Sequence, residues 1–189
     1  LPGATEIAFA LGLGDQIVGV THECDHPAEA QDKPIVVKSL FDHKRMSGAE
    51  IDRKVAELLQ TGKGLYFIDE AAFADAAPDV ILTQGLCEVC ALDYGEVVKA
   101  AGKLLRPPAI VSLNPHSMQE ILDDIRHVGT ATGRSNAAMA LVDNLRQRIE
   151  QVGGRELDRR PRVVSLEWFE PLYSAGHWVP EMVALAGGH

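Results

Sequence analysis

Short apolar runs alternate with amphipathic stretches along most of the chain, a pattern that predicts strands alternating with helices. The apolar runs predict strands at residues 17–20, 35–37, 65–68, 80–83, 109–113 and 162–166. The amphipathic stretches predict helices at residues 4–11, 48–61, 93–101, 117–128, 135–152 and 180–186, and a further helix begins after Asp69. The predicted N-caps are Ser47, Asp69, Asp93 and Ser117, and Ser47 forms a predicted capping box with Glu50. Such alternation favours an α/β fold, in which helices cover both faces of a mainly parallel sheet.

The longest amphipathic stretch, residues 135–152, predicts one uninterrupted helix. Its apolar stripe consists of Leu141, Leu145, Ile149 and Val152. Ser135 is the predicted N-cap, and Gly153 and Gly154 end the helix. A full strand and helix series precedes this helix, and a new series begins after it. We therefore predict an N-terminal α/β lobe (1–134), a connecting spine helix (135–153) and the start of a C-terminal α/β lobe (154–189). The pattern alone also fits an ordinary helix packed inside one domain.

Composition narrows the possible partners. The chain has 189 residues, of which 46% are hydrophobic, enough for one good core and the start of a second. Its formal net charge of -9 argues against a nucleic-acid partner, which would require a basic face. No apolar run approaches the length needed to cross a bilayer.

The three cysteines are too few for a disulfide framework, and two of them form the motif Cys87-x-x-Cys90. His22 and Cys24 stand at alternate positions, so an extended segment would place them on one face. Both loops follow predicted strands, whose carboxyl ends share one sheet edge. His22, Cys24, Cys87 and Cys90 could therefore converge on a zinc or iron ion. Alternatively, the cysteines are small buried hydrophobes.

Two catalytic uses of these cysteines are alternatives to a metal site. A redox role would need the Cys-x-x-Cys motif at a helix N-terminus, and Glu88 between the thiols works against thiolate formation. A nucleophilic pair of Cys24 with a neighbouring histidine lacks an oxyanion hole and a third member. The sequence therefore does not predict an enzyme. A metal-binding or redox protein using His22 and the three cysteines is the alternative function.

The last thirty residues contain both tryptophans of the chain. Trp168, His177 and Trp178 lie in loops near predicted strand ends. Such aromatic side chains suit a flat, aromatic or metal-bearing ligand. They equally suit the packing of an interface between the two lobes.

Several motifs, in this order along the chain, resemble the cobalamin-binding proteins of ABC importers. The motifs are residues 2–6 (Pro-Gly-Ala-Thr-Glu), Phe9 to Gly12, Val18 to Val20, Asp25-x-Pro27, residues 78–81 (Pro-Asp-Val-Ile), and the series from Leu172 to Gly188. The resemblance implies two α/β lobes joined by a long rigid helix, with the ligand between the lobes and against tryptophan. The unit from Ser47 to Asp69 and the cysteines are departures that mark a distinct, cysteine-bearing branch. The family's first strand and most of its second lobe have no counterpart.

This resemblance implies a solute-binding protein, and not an enzyme, that holds cobalamin or a related corrinoid or metal chelate for ABC-type uptake. The expected ligand-binding residues are His22, Glu23, Cys24, Gln84, Cys87 and Cys90 from the first lobe, and Trp168, His177 and Trp178 from the second. The implied partner is an ABC permease, and the implied location is the periplasm or cell envelope. Free cysteines would also fit the cytoplasm. An incomplete second sheet predicts self-association, or docking of residues 160–189 on the first lobe.

Overall fold

The computed structural model describes residues 2–61, 64–85, 92–155 and 159–189. Its helices are α1 (Pro2–Ala10), α2 (Gly48–Gln60), α3 (Glu70–Ala76), α4 (Tyr94–Ala101), α5 (Met118–Ala131), α6 (Ser135–Gly153) and α7 (Val179–Leu185). Its strands are β1 (Val20–Thr21), β2 (Ile35–Ser39), β3 (Tyr66–Ile68), β4 (Val80–Gln84), β5 (Ala109–Leu113), β6 (Leu166–Phe169) and β7 (Leu172–Ser174). The prediction of an α/β fold is confirmed.

The described strands form three small sheets rather than one. Strand β1 pairs with β2 in parallel, and β3 joins the other edge of β2 in antiparallel orientation. Strands β4 and β5 form a separate parallel pair, and β6 and β7 form an antiparallel hairpin. A cavity of about 640 Å³ lies between β1 and β4 and separates the first two sheets.

Two predicted strands begin later in the chain than expected, because their first residues form other hydrogen bonds. The strand predicted at 17–20 is reduced to Val20–Thr21, since Ile17 N–H donates to the carbonyl of Gly14 in a short 3₁₀ turn. The strand predicted at 162–166 begins only at Leu166. Upstream of it, Val163 N–H donates to His189 O at 2.8 Å, which pairs this stretch with the chain end.

The main core lies between α5 and α6, with α1 and β5 also contributing. Val128 of α5 and Val142 of α6 have no exposed surface. Ala138 is 1% exposed and faces Gly129, which lets the two helices approach closely. Leu141 and Leu145 pack against this core, as the predicted stripe requires. Val152, at the far end of the stripe, is 41% exposed.

The predicted cap of α6 is wrong. Arg134 occupies the N-cap position without a side-chain hydrogen bond, and Ser135 is already helical. The cause is the tight connection from α5, in which Gly133 has φ +69° and Arg134 N–H donates to Gly129 O at 2.6 Å. This bond satisfies a carbonyl group at the C-terminal end of α5, and the first turn of α6 receives no side-chain cap. The division into two lobes and a spine stays a prediction.

The caps predicted for four other helices are confirmed. They are Ser47, Asp69, Asp93 and Ser117. Ser47 forms a capping box with Glu50, each side chain bonding the other's backbone N–H. Asp69 also accepts a hydrogen bond from Lys38 at 2.7 Å, and this bond, with the N–H of Ala72, holds the pKa of Asp69 below its usual value.

The hairpin of β6 and β7 leaves large apolar side chains exposed. Phe169 is 73% exposed and Leu172 is 69% exposed. Among the described residues, no further layer covers these two side chains. Self-association of the chain stays a prediction.

The carboxylate of Asp124 in α5 gives the first testable prediction. Asp124 is 8% exposed, and its Oδ2 has no hydrogen-bond partner among the described residues. Burial raises the pKa of Asp124 above its usual value, although the nearby His127 opposes this. An acid with a raised pKa favours folding below its unfolded pKa of about 3.9, and this contribution is lost as pH rises through the folded pKa. We expect Asp124→Asn to raise the free energy of unfolding by about 1 kcal/mol at pH 7.

Urea unfolding of both proteins at pH 7 and near pH 4 measures this effect, and the gain should shrink at the lower pH. Asp123→Asn is the matched control. Hydrogen bonds from Gln119 and Arg126 lower the pKa of Asp123, so its loss should destabilise the fold at pH 7. Equal effects of the two substitutions would contradict the assignment of Asp124 as an acid whose pKa is raised by burial.

Candidate functional site

Two groups of polar and aromatic side chains lie where strands end. The His22 cluster consists of His22, Glu23, His43 and Tyr66. The His177 cluster consists of His116, His177 and Trp178. The first lies on the predicted N-terminal lobe, and the second joins that lobe to the C-terminal segment.

The turn after β1 determines the position of His22. His22 N–H donates to Val37 O at 3.0 Å, which continues the pairing of β1 with β2. Its ring Nδ1 lies 3.3 Å from the same carbonyl oxygen. The ring also packs 5.7 Å from the ring of Tyr66, measured between centroids. The His22 imidazole is therefore fixed by backbone and ring contacts at the edge of the sheet.

Cys24 points toward α1 instead. Its N–H donates to Thr21 O at 3.0 Å and closes a turn, so the segment is not extended. The Cys24 thiol is 5% exposed and lies 3.1 Å from the hydroxyl of Thr5 and 3.3 Å from that of Thr21. The prediction that alternate positions share a face fails here because the chain turns between them.

The rest of the proposed cysteine set lies outside the described residues. Cys87 and Cys90 fall in the undescribed stretch 86–91, so the set of His22, Cys24, Cys87 and Cys90 stays a prediction. Within the described ranges, the side chains that approach His22 as potential ligands are those of Glu23 and His43, and Cys24 does not belong to this group.

The His22 cluster brings two imidazoles to one carboxylate. Glu23 Oε1 lies 3.0 Å from His22 Nε2 and 3.7 Å from His43 Nε2. The His22 side chain is 18% exposed, whereas Glu23 is 46% exposed and His43 is 36% exposed. Despite its closeness to Glu23, the buried Nε2 of His22 makes no hydrogen bond of good geometry with any described residue. The cluster is thus open to solvent on one side.

The His177 cluster connects the C-terminal segment to the first lobe. The rings of His116 and His177 stack with centroids 5.6 Å apart and an interplanar angle of 28°. The His177 ring also lies 5.8 Å from Trp178. Close by, Met118 N–H donates to Glu181 Oε2 at 2.7 Å. His177 has φ +54°, a left-handed conformation that a non-glycine residue adopts only when its surroundings enforce it.

Trp168 also touches the first lobe. Its ring lies over the start of α2. A Cβ added at Gly48 would be 3.5 Å from the Trp168 Cζ2 atom. Its Nε1–H donates to Glu170 O at 3.0 Å. The C-terminal segment therefore contacts the preceding part of the chain through Trp168, His177 and Glu181.

Gln84 ends β4 at the rim of the 640 Å³ cavity, which His22 and Glu23 also line. The cavity runs between β1 and β4, which are edge strands of their sheets. Edge strands present unpaired backbone N–H and C=O groups, which a flat aromatic ligand cannot satisfy. The polar side chains that follow these strands at the rim of the cavity, and not its interior, are therefore the better candidates for a chelate site.

His43 and His116 were missed from the sequence. His43 follows β2 and begins a 3₁₀ turn capped by Asp42, and His116 follows β5. Both positions obey the rule that ligands bind beyond the carboxyl ends of strands. Applying that rule to each predicted strand, and not only to those with cysteines or tryptophans, would have found them.

Comparisons with known proteins identify the architecture. No family model matches the chain, and neither does any curated protein. Solved structures do match, among them the periplasmic vitamin B12 binding protein BtuF of Vibrio cholerae, with 22% identity and a TM-score of 0.69. The periplasmic heme-binding protein RhuT of Roseiflexus sp. RS-1 matches with 20% identity and a TM-score of 0.70. The chain has the fold of periplasmic binding proteins of ABC importers.

The matches extend over essentially the whole chain, covering 100% of it for BtuF and 99% for RhuT. They cover 62% of each of those two chains, so this chain spans less than two thirds of their length. The resemblance found in the sequence is therefore confirmed at the level of fold. In the described part of the chain, no helix is long and apolar enough to span a membrane.

Proposed function

We propose that this protein is a solute-binding protein of an ABC importer and that it binds a flat metal chelate, most specifically a corrinoid. The observation that supports the proposal is the His177 cluster, in which aromatic rings from the C-terminal segment meet a strand-end loop of the first lobe. Similar folds belong to proteins described as binding vitamin B12 and heme. A location in the periplasm and an ABC permease as partner are parts of the same proposal.

The ligand would lie between the loops of the first lobe and the aromatic residues of the C-terminal segment. Trp168, His177 and Trp178 would provide ring faces for a planar macrocycle. A histidine nitrogen in the same cluster could approach the central metal of a chelate. From the first lobe, the proposed contacts are His22, Glu23, Cys24 and Gln84, together with Cys87 and Cys90.

Titration with cobalamin, cobinamide and hemin, followed by absorbance and calorimetry, tests this proposal. We expect saturable binding of at least one of them, with one ligand per chain. His177→Ala should weaken it at least tenfold, equivalent to about 1.4 kcal/mol, because the stacked pair is lost. His127→Ala is the matched control, since the side chain of His127 is 68% exposed on α5.

A corrinoid preference over hemin would support the most specific form of the proposal. A hemin preference would correct the ligand and keep the binding function. Absence of binding of all three at about 50 micromolar would contradict the function itself.

A further inference from the structure

We propose a divalent transition-metal site formed by His22, Glu23 and His43. The proposal goes beyond the chelate-binding function, because it concerns a free ion held by protein side chains and adds His43 to two residues, His22 and Glu23, that are also proposed chelate contacts. The three potential ligand atoms lie within 4.8 Å of one another. Two of these residues come from the turn after β1, and the third comes from the turn after β2.

Two of the three distances between the ligand atoms lie close to those of a tetrahedral metal shell. Metal bonds of about 2.1 Å to histidine nitrogen and carboxylate oxygen give ligand–ligand separations of about 3.4 Å in a tetrahedron. The observed separations of 3.0 Å and 3.7 Å from Glu23 Oε1 to the two imidazole nitrogens lie on either side of that value. Small side-chain movements would therefore suffice to bind an ion.

The tautomer of His22 supplies a second argument for the metal site. Val37 O can only accept a hydrogen bond, so Nδ1 of His22, 3.3 Å away, carries the ring proton. In the neutral ring, the lone pair of Nε2 is then left facing the Glu23 carboxylate. Two acceptors at 3.0 Å repel each other unless a proton or a metal cation lies between them. A backbone carbonyl that fixes the other ring nitrogen is also a common arrangement behind metal-bound histidines.

The donor set selects the class of ion. Two imidazoles and one carboxylate suit zinc, iron, cobalt or nickel, whereas magnesium and calcium prefer shells made entirely of oxygen. The partial exposure of Glu23 and His43 gives the ion a path from solvent. Three protein ligands would leave a fourth position open to water or to an added donor.

Calorimetric titration of the metal-free full chain with Zn²⁺ tests the site, with Co²⁺ as a spectroscopic probe. We expect one strong site per chain and Co²⁺ absorption bands typical of a tetrahedral nitrogen and oxygen shell. His43→Ala and Glu23→Gln should each weaken Zn²⁺ binding by about 100-fold. His26→Ala is the matched control, because this exposed histidine lies in the same loop but outside the cluster.

The double variant Cys87→Ser, Cys90→Ser separates this site from a cysteine site. Retention of Zn²⁺ binding in that variant, with loss in His43→Ala, supports the proposal. Unchanged affinity in His43→Ala, or thiolate charge-transfer bands with Co²⁺, would overturn it. His43→Ala should still bind the preferred chelate, so failure of one proposal can be distinguished from failure of the other.

Discussion

Gly129→Val is expected to lower the free energy of unfolding by about 3 kcal/mol, the largest loss that we predict for a single substitution. A Cβ at Gly129 would clash with the Cβ of Ala138 and would lie 3.2 Å from the carbonyl oxygen of Arg134. Both neighbours are fixed to the backbone at the start of α6, so α5 and α6 would have to separate. The melting temperature, followed by circular dichroism, should fall by about 10 °C.

A reciprocal pair of small substitutions tests whether steric contact is the cause. Gly129→Ala should destabilise the wild-type chain, although alanine is the better helix former by about 1 kcal/mol. In an Ala138→Gly background the nearest clash is removed, and the same change should become neutral or stabilising. Gly3→Ala is the control, because Gly3 lies in α1 with no atom within 4 Å of an added Cβ. The same sign in both backgrounds would contradict the steric explanation.

Val142→Ala is expected to cost about 2.5 kcal/mol, the second large effect. Val142 has no exposed surface and packs in the cluster that joins α5, α6 and α1. Removing two methyl groups there loses their burial and leaves a cavity that rigid helices fill only in part. Urea unfolding gives the difference directly as a lower midpoint with an unchanged slope.

Val164→Ala is the matched control for this substitution. It removes the same atoms from a side chain that is 78% exposed, and we expect a change within about 0.5 kcal/mol. Similar losses at the two positions would contradict the location of the core between α5 and α6.

The two binding-site variants, His177→Ala and His43→Ala, serve as controls for each other. His177→Ala should weaken chelate binding and leave the Zn²⁺ site intact, since His177 lies in a different cluster from His43. His43→Ala should do the reverse. These opposite effects would show that binding of a chelate and binding of a free ion depend on different side chains.

Local patterns in the sequence were sufficient to predict most helices and several caps. The helix after Ser47, with its capping box to Glu50, and the long helix α6 depend on contacts within a few residues. Strands β4 and β5 were also predicted nearly to the residue, because continuous apolar runs bounded by proline or asparagine leave few alternatives. The order of motifs likewise predicted the fold that the similar structures share.

The pairing of distant residues was decided only in three dimensions. The sequence suggested His22 and Cys24 as neighbours on one face, but the turn closed by Cys24 N–H and Thr21 O directs the thiol to Thr5. The β1–β2 pairing instead brings His22 to His43, about twenty residues further along the chain. Such contacts depend on strand register and on the direction in which each turn leaves the sheet. A one-dimensional spacing rule contains neither quantity, so the sequence determined the elements while the tertiary structure determined which side chains meet.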